Sequence, residues 1–165
     1  MVPDILGARF NVAIDAGDKS NVGAGSVSSS TARLPGLVAG AKGAVVDVEP
    51  APFLVSPPDG GAFGTGAELE WSVEGDGASL VSLYPMDQDA AAITYFVATA
   101  GNTTVVPDLS RLGVKLPQGL KYDWIVFRNS LTPTVEDIAA EFMKLDSATE
   151  PTFFASSPSW TLTSQ

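Results

Sequence analysis

Polar and apolar positions alternate in short runs along much of the chain. A period of two marks a strand with one buried and one wet face. Residues 67–74 show it most clearly: Ala67, Leu69, Trp71 and Val73 fall on one face, and Glu68, Glu70, Ser72 and Glu74 on the other. That pattern predicts a half-buried antiparallel strand. A short strand is expected before it at 53–55, and others after it at 79–84, 92–98 and 103–106. Gly, Pro, Asp and Ser cluster between them, at 56–61 and 74–77 for example, where turn chemistry is needed. Nearer the start, residues 8–15 alternate with Phe10, Val12 and Ile14 on one face, and 15–18 read as a turn. Residues 23–30 are small and polar, a loop or a plain strand, and 32–38 and 44–48 are further short strand candidates.

Two later segments depart from simple alternation. Residues 122–127 are apolar on both faces, with Tyr122, Trp124 and Val126 on one and Ile125 and Phe127 on the other. A second covering layer is therefore expected over Ile125 and Phe127, from a helix or from the N-terminal segment. The helix itself is predicted just downstream. Residues 132–137 carry a capping Thr, a Pro where helices tolerate it and two early acids. Val135, Ile138, Ala139 and Phe142 recur at helical spacing, and Lys144 suits the last turn. A closing strand is expected at 160–163.

The run Leu116-Pro117-Gln118-Gly119-Leu120-Lys121-Tyr122-Asp123-Trp124-Ile125-Val126 resembles the approach to strand F of a fibronectin type III-like sandwich. Trp71 resembles that family's early core tryptophan, and Pro107-Asp108-Leu109 its E–F connection. The resemblance spans residues 52–165. It implies a tyrosine corner, in which the Tyr122 hydroxyl would hydrogen-bond to backbone upstream. It implies structural roles for Tyr122, Trp71 and Trp124. It implies a fold and no activity.

Composition narrows the chemistry. The chain has 165 residues, 45% of them hydrophobic, enough for a core in one domain of ordinary size. It has neither Cys nor His. Disulfides, thiol nucleophiles, Cys/His zinc sites, two-His iron sites and Ser-His-Asp triads are thereby excluded. Net charge is −10, which opposes binding to nucleic-acid phosphates and anionic membranes. No run of apolar residues is long enough for a membrane span. The first residues, Met1-Val2-Pro3-Asp4, lack the basic and apolar regions of a signal peptide. Abundant Ser, Thr, Gly, Ala and Pro with few Lys nonetheless favour a secreted or surface-attached bacterial module over a cytoplasmic protein.

Charge also divides the chain. Residues 1–50 hold five acids and four bases, whereas 51–165 hold fourteen and five. The shift coincides with the prolines at Pro50 and Pro52, and Pro-rich joints act as spacers. We therefore expect a β-rich N-terminal segment or partial domain at 1–50 and the sandwich at 51–165.

Several groups are candidates for chemistry. Glu68 and Glu70 share a strand face about 7 Å apart, compatible with a glycosidase-like pair, though two solvated acids are the simpler reading. Asp15 and Asp18, and Asp87 and Asp89, sit in oxygen-rich segments that could contribute to a calcium site. Neither segment has EF-hand spacing, and Asp favours turns in any case. The glycines at 23–25 and 60–66 precede strand-like sequence rather than a helix and Lys, so turn geometry is preferred over phosphate binding. Ser26, Ser28, Ser29 and Ser30 have no His to activate them, which leaves only a formal Ser-Lys dyad with Lys19 or Lys42. Asn102-Thr103-Thr104 is a glycosylation sequon in a secreting eukaryote. Trp160, Phe153 and Phe154 could form a sugar-stacking platform, or be core and closing-strand residues.

The fold expected is all-β: an antiparallel sandwich of fibronectin III or immunoglobulin-like type, with one short helix before the last strand. The function expected is a non-catalytic module for adhesion, spacing or assembly, with a protein or glycan partner and no cofactor. A carbohydrate-binding module stabilised by calcium is the alternative. A carboxylate-based hydrolase is a remoter one.

Overall fold

The computed structural model describes residues 9–17, 28–38, 40–45, 48–75, 77–87, 92–128, 134–142 and 153–165. Among these residues the chain is all-β with one short helix. Its strands are β1 (Arg9–Gly17), β2 (Ser29–Val38), β3 (Phe53–Ser56), β4 (Ala62–Phe63), β5 (Glu68–Ser72), β6 (Ser79–Pro85), β7 (Tyr95–Thr99), β8 (Thr103–Val105), β9 (Lys121–Arg128), β10 (Phe153–Ser156) and β11 (Trp160–Ser164). Helix α1 spans Val135–Phe142, and Ser110–Leu112 form a single 3₁₀ turn.

The strands form two sheets. The smaller has the order β3-β5-β8. In the larger, β9 is central: β6 lies along one edge and carries β7 beyond it, while β10 and β11 share the other edge. The chain changes sheet at every step from β2 to β6, and again between β7 and β8 and between β8 and β9.

The alternation in the sequence accounts for the core. In β5 the burial pattern follows the apolar positions, with Leu69 and Trp71 buried and Glu68, Glu70 and Ser72 exposed. In β9 the buried set is Tyr122, Trp124, Val126 and Arg128. Leu54, Leu69 and Trp71 of the small sheet join Val81, Leu83, Tyr95, Tyr122, Trp124, Val126 and Leu162 of the large one in a single apolar cluster. Phe63 of β4 closes it edge-on to Tyr122, with ring centroids 5.3 Å apart. Ile125 and Phe127 on the opposite face of β9 are half-buried. Helix α1 packs against β7 of the same sheet and buries Ile138. Its first turn is capped by Thr134, whose Oγ1 accepts the Asp137 N–H at 3.1 Å and donates to the Asp137 carboxylate at 2.8 Å. The expected last-turn Lys144 and the Thr at 132 lie outside the described residues.

Some expectations need correction. No strand forms at the described residues of 44–48, where Val45 is 78% exposed. The turn expected at 15–18 does not begin at 15, because β1 continues to Gly17 against Ser29, and Asp18 lies outside the described residues. Neither β4 nor β10 was foreseen. β4 is a two-residue strand parallel to β11. It is set by the turn before it, where the Asp59 carboxylate accepts the Thr161 N–H at 2.8 Å and the Gly61 carbonyl accepts the Thr163 N–H at 2.9 Å.

β10 gives the N-terminal hairpin its place. Ser157 interrupts the last strand: its N–H donates to the Val126 carbonyl at 2.9 Å, and its Oγ accepts the Val126 N–H at 3.0 Å. The side chain thus stands in for a ladder group next to Pro158, which has no N–H to give. β10 pairs with β9 only at Ala155 and Ser156, and with β2 from Phe153 to Ser156. β2 then pairs with β1. Between Phe10↔Leu37 and Val12↔Leu34 the partner strand carries the extra residue of a bulge, at Pro35-Gly36, and Gly36 has φ 76°.

The segment between the hairpin and β3 is tied at Glu49. Its carbonyl accepts from Ser30 Oγ at 2.6 Å, and its carboxylate Oε1 lies 3.0 Å from Arg128 Nε. Arg128 ends β9 on the inner face and is 1% exposed. Gly77 leaves room for it: a Cβ there would come within 3.1 Å of Nη2, and its φ is +140°.

Candidate functional site

The inner face of the large sheet is occupied by core, so candidate chemistry must be sought on the outer faces and loops. On the outer face, β6 places Ser82 and Tyr84, β7 places Phe96, β9 places Asp123 and β11 places Thr161. The ladder sets Tyr84 opposite Asp123, Asp123 opposite Thr161, and Ser82 opposite Phe96. Tyr84 and Phe96 are therefore diagonal neighbours across two antiparallel strands, a spacing aromatic rings can bridge. Their rings meet edge to face, with centroids 5.4 Å apart and planes at 83°. Both stay open to solvent, 37% and 39% exposed, and Met86 beside them is 51% exposed. Met86 is held at the strand end by its N–H, donated to the Lys121 carbonyl at 2.9 Å, and by Thr161 Oγ1, which donates to its sulfur at 3.8 Å. Asp87 follows it, exposed.

An apolar patch of two rings and a thioether, with Asp123 across from Tyr84 and Lys121 beside Met86, can bind a partner that brings its own apolar group. The patch was missed in the sequence because Tyr84 and Phe96 read as ordinary strand residues. The available signal was phase: Tyr84 falls on the opposite face from Val81 and Leu83, and Phe96 on the opposite face from Tyr95 and Val97.

The sequence candidates are scattered. Asp15 lies on β1, where its Oδ1 accepts from Thr31 Oγ1 at 2.8 Å, and Asp87 lies at the far end of β6. Asp18 and Asp89 lie outside the described residues. Among the described residues no group of three or more Asp or Glu is placed to hold a metal ion. Glu68 and Glu70 are exposed on β5 across from Val105 and Thr103. Trp160 is directed inward, half-buried, its ring 6.2 Å from that of Trp124. Phe153 and Phe154 are in β10 across from Ala32 and Thr31, and their side chains lie outside the described set. Ser29 pairs its hydroxyl with Ser156 at 3.0 Å, and Ser30 donates to Glu49, so both hydroxyls serve the sheet. Lys42 is exposed, while Ser26, Lys19 and the glycines at 23–25 are outside the described residues. The glycines at 60–66 serve the turns flanking β4. Asn102 is exposed in the β7–β8 turn, and its carbonyl accepts the Trp71 N–H at 3.0 Å.

Tyr122 and Trp124 are fully buried and Trp71 nearly so, but among the described residues the tyrosine-corner bond is not made. The Tyr122 hydroxyl has no hydrogen-bond partner among the described residues, nor do the indole N–H groups of Trp71 and Trp124. Nearby, burial raises the pKa of Tyr95, assisted by Tyr122 and Asp108. Asp108 accepts the Ser110 N–H at 2.9 Å, and the backbone bond, then the Ser110 side chain, lowers its pKa.

No protein-family model, curated protein or solved structure matches this chain. Among the described residues no helix is long and apolar enough to cross a membrane.

Proposed function

We propose that the chain is a non-catalytic sandwich module of fibronectin III or immunoglobulin-like type, from a secreted or surface-attached protein. Its work is adhesion, spacing or assembly, and Tyr84, Phe96 and Met86 are its contact surface. The exposed Tyr84–Phe96 pair carries this reading. Support for the fold type comes from a β3-β5-β8 sheet and a β7-β6-β9-β11 arrangement that share one apolar cluster, with repeated exchange between sheets as in Greek-key sandwiches. The ring geometry favours a protein partner over a glycan. A sugar stacks on an open aromatic plane, whereas rings at 83° form a notch that suits an aliphatic side chain.

The test is adhesion of beads coated with the chain to surfaces bearing matrix proteins or polysaccharides. Tyr84→Ser/Phe96→Ser should abolish adhesion to protein, with a stability loss of no more than about 2 kcal/mol because both rings are already part-exposed. Glycan-dependent stabilisation would favour the carbohydrate reading instead. A ligand at about a hundred times its Kd adds about 2.7 kcal/mol, or about 5–10 °C for a chain of this size. Turnover of chromogenic glycosides that is lost in Glu68→Gln or Glu70→Gln would sink the non-catalytic reading.

A further inference from the structure

The longest strand at an edge of the large sheet is β1, with nine residues, and among the described residues it pairs with β2 alone. Its outer edge thus presents a row of backbone N–H and C=O groups. Natural sheets protect such edges with Pro, Lys, short length or an inward charge. Arg9–Gly17 contains no Pro and no Lys. Residues 12–17 are all exposed, and Val12 and Ile14 are each 38% exposed on one face. The bulge that interrupts the ladder lies on the β2 side, at Pro35-Gly36.

We infer that β1 pairs antiparallel with β1 of a second copy of this chain, joining two sheets into one across a two-fold axis. Self-pairing about an axis at Val12 places Val12 opposite Val12, Phe10 opposite Ile14 and Asn11 opposite Ala13. The same register places Arg9 opposite Asp15 twice, so the two charged residues of the strand meet opposite sign in both halves. A two-fold axis perpendicular to the sheet keeps each residue on its own face, and Val12 and Ile14 of both copies then form one apolar strip. Charge elsewhere points the same way. The chain carries −10, but β1 has one base and one acid and is neutral. Two copies can therefore approach through this edge with their acidic parts held apart. This inference goes beyond the contact surface proposed above and does not depend on it.

The experiment is sedimentation equilibrium of the full chain from micromolar to millimolar concentration, with four variants. The parent should show a reversible monomer–dimer equilibrium. Val12→Lys sets two like charges opposite each other on the axis and should abolish dimerisation. Arg9→Asp and Asp15→Arg should each weaken it by about tenfold, since each replaces two attractive pairs with two repulsive ones. The double swap should restore it. Thermal melts at dilute concentration check that each variant folds. A parent that stays monomeric at millimolar concentration overturns the inference. So does a dimer that is insensitive to Val12→Lys, or one in which the double swap fails to rescue the single ones.

Discussion

Removing the Glu49 carboxylate tests how the N-terminal part is joined to the rest. Arg128 is 1% exposed and the Glu49 side chain 20%, with Nε and Oε1 3.0 Å apart. At that separation, an effective dielectric of about 20 puts the gross attraction at about 5–6 kcal/mol. Desolvation of the guanidinium offsets part of it. The two partners are not equivalent. Glu49→Ala takes this carboxylate away from a buried cation, and should cost about 2–4 kcal/mol. Arg128→Met leaves a carboxylate that already reaches water, with a methionine filling the space, and should cost less, about 1–2 kcal/mol. Once the cation is gone, Glu49 has little left to neutralise. The double variant should therefore match Arg128→Met to within about 0.5 kcal/mol, a coupling of about 2–4 kcal/mol. Urea unfolding followed by tryptophan emission reads all four proteins at pH 7. The reasoning fails if Glu49→Ala costs under about 0.5 kcal/mol, or if the single costs simply add.

Three other changes test separate parts of the fold. Tyr122→Phe removes a buried hydroxyl that has no partner among the described residues, so thermal stability should be unchanged or slightly raised; a loss of about 1–2 kcal/mol would instead reveal a tyrosine-corner bond. Gly77→Ala places a Cβ 3.1 Å from Arg128 Nη2 at a φ of +140° and should destabilise by about 1–3 kcal/mol, whereas a neutral result in the same melts would show that the guanidinium can give way. The Ser110 contacts hold the pKa of Asp108 below its ordinary value, so its contribution to stability is present at neutral pH and is lost as pH falls through that lowered value. Asp108→Asn should therefore lower the urea midpoint at neutral pH and not in strong acid, and a pH-independent difference would refute the assignment.

Strands with one wet face were legible because burial and polarity are in phase: Leu69 and Trp71 alternate with glutamates, and Val135, Ile138, Ala139 and Phe142 mark the helix by their period. Features made by distant pairings were not legible. β4 is a strand only because Asp59 and Gly61 capture N–H groups of β11 about a hundred positions away. Arg128 ends an otherwise apolar inner face, and nothing local announces that Glu49 will meet it. The aromatic patch was hidden differently. Tyr84 and Phe96 each satisfy strand propensity, and their exposure depends on the registers of β6 against β7 and β9. The chemistry that sequence excluded, by the lack of Cys and His, needed no fold at all.

The composition shift near residue 50 and the sheet connectivity describe different properties of the chain. Charge changes abruptly there, yet β2 hydrogen-bonds to β10, more than a hundred residues later. The physical link is Ser157. By lending its hydroxyl to Val126, it lets the last strand bend beside Pro158 without leaving a backbone donor empty. The bent half, β10, keeps only a short pairing with β9 and presents its other edge to β2. Ser157→Ala would remove the acceptor from the Val126 N–H, and Val126 is fully buried. A cost of about 1–3 kcal/mol follows from the unpaired donor. Hydrogen exchange offers the sharper reading: amides of β1 and β2 should lose protection before those of β5 and β6 in this variant. Uniform loss across all four strands would mean that the kink contributes to global stability alone, and that the hairpin is anchored mainly through Glu49 and Arg128.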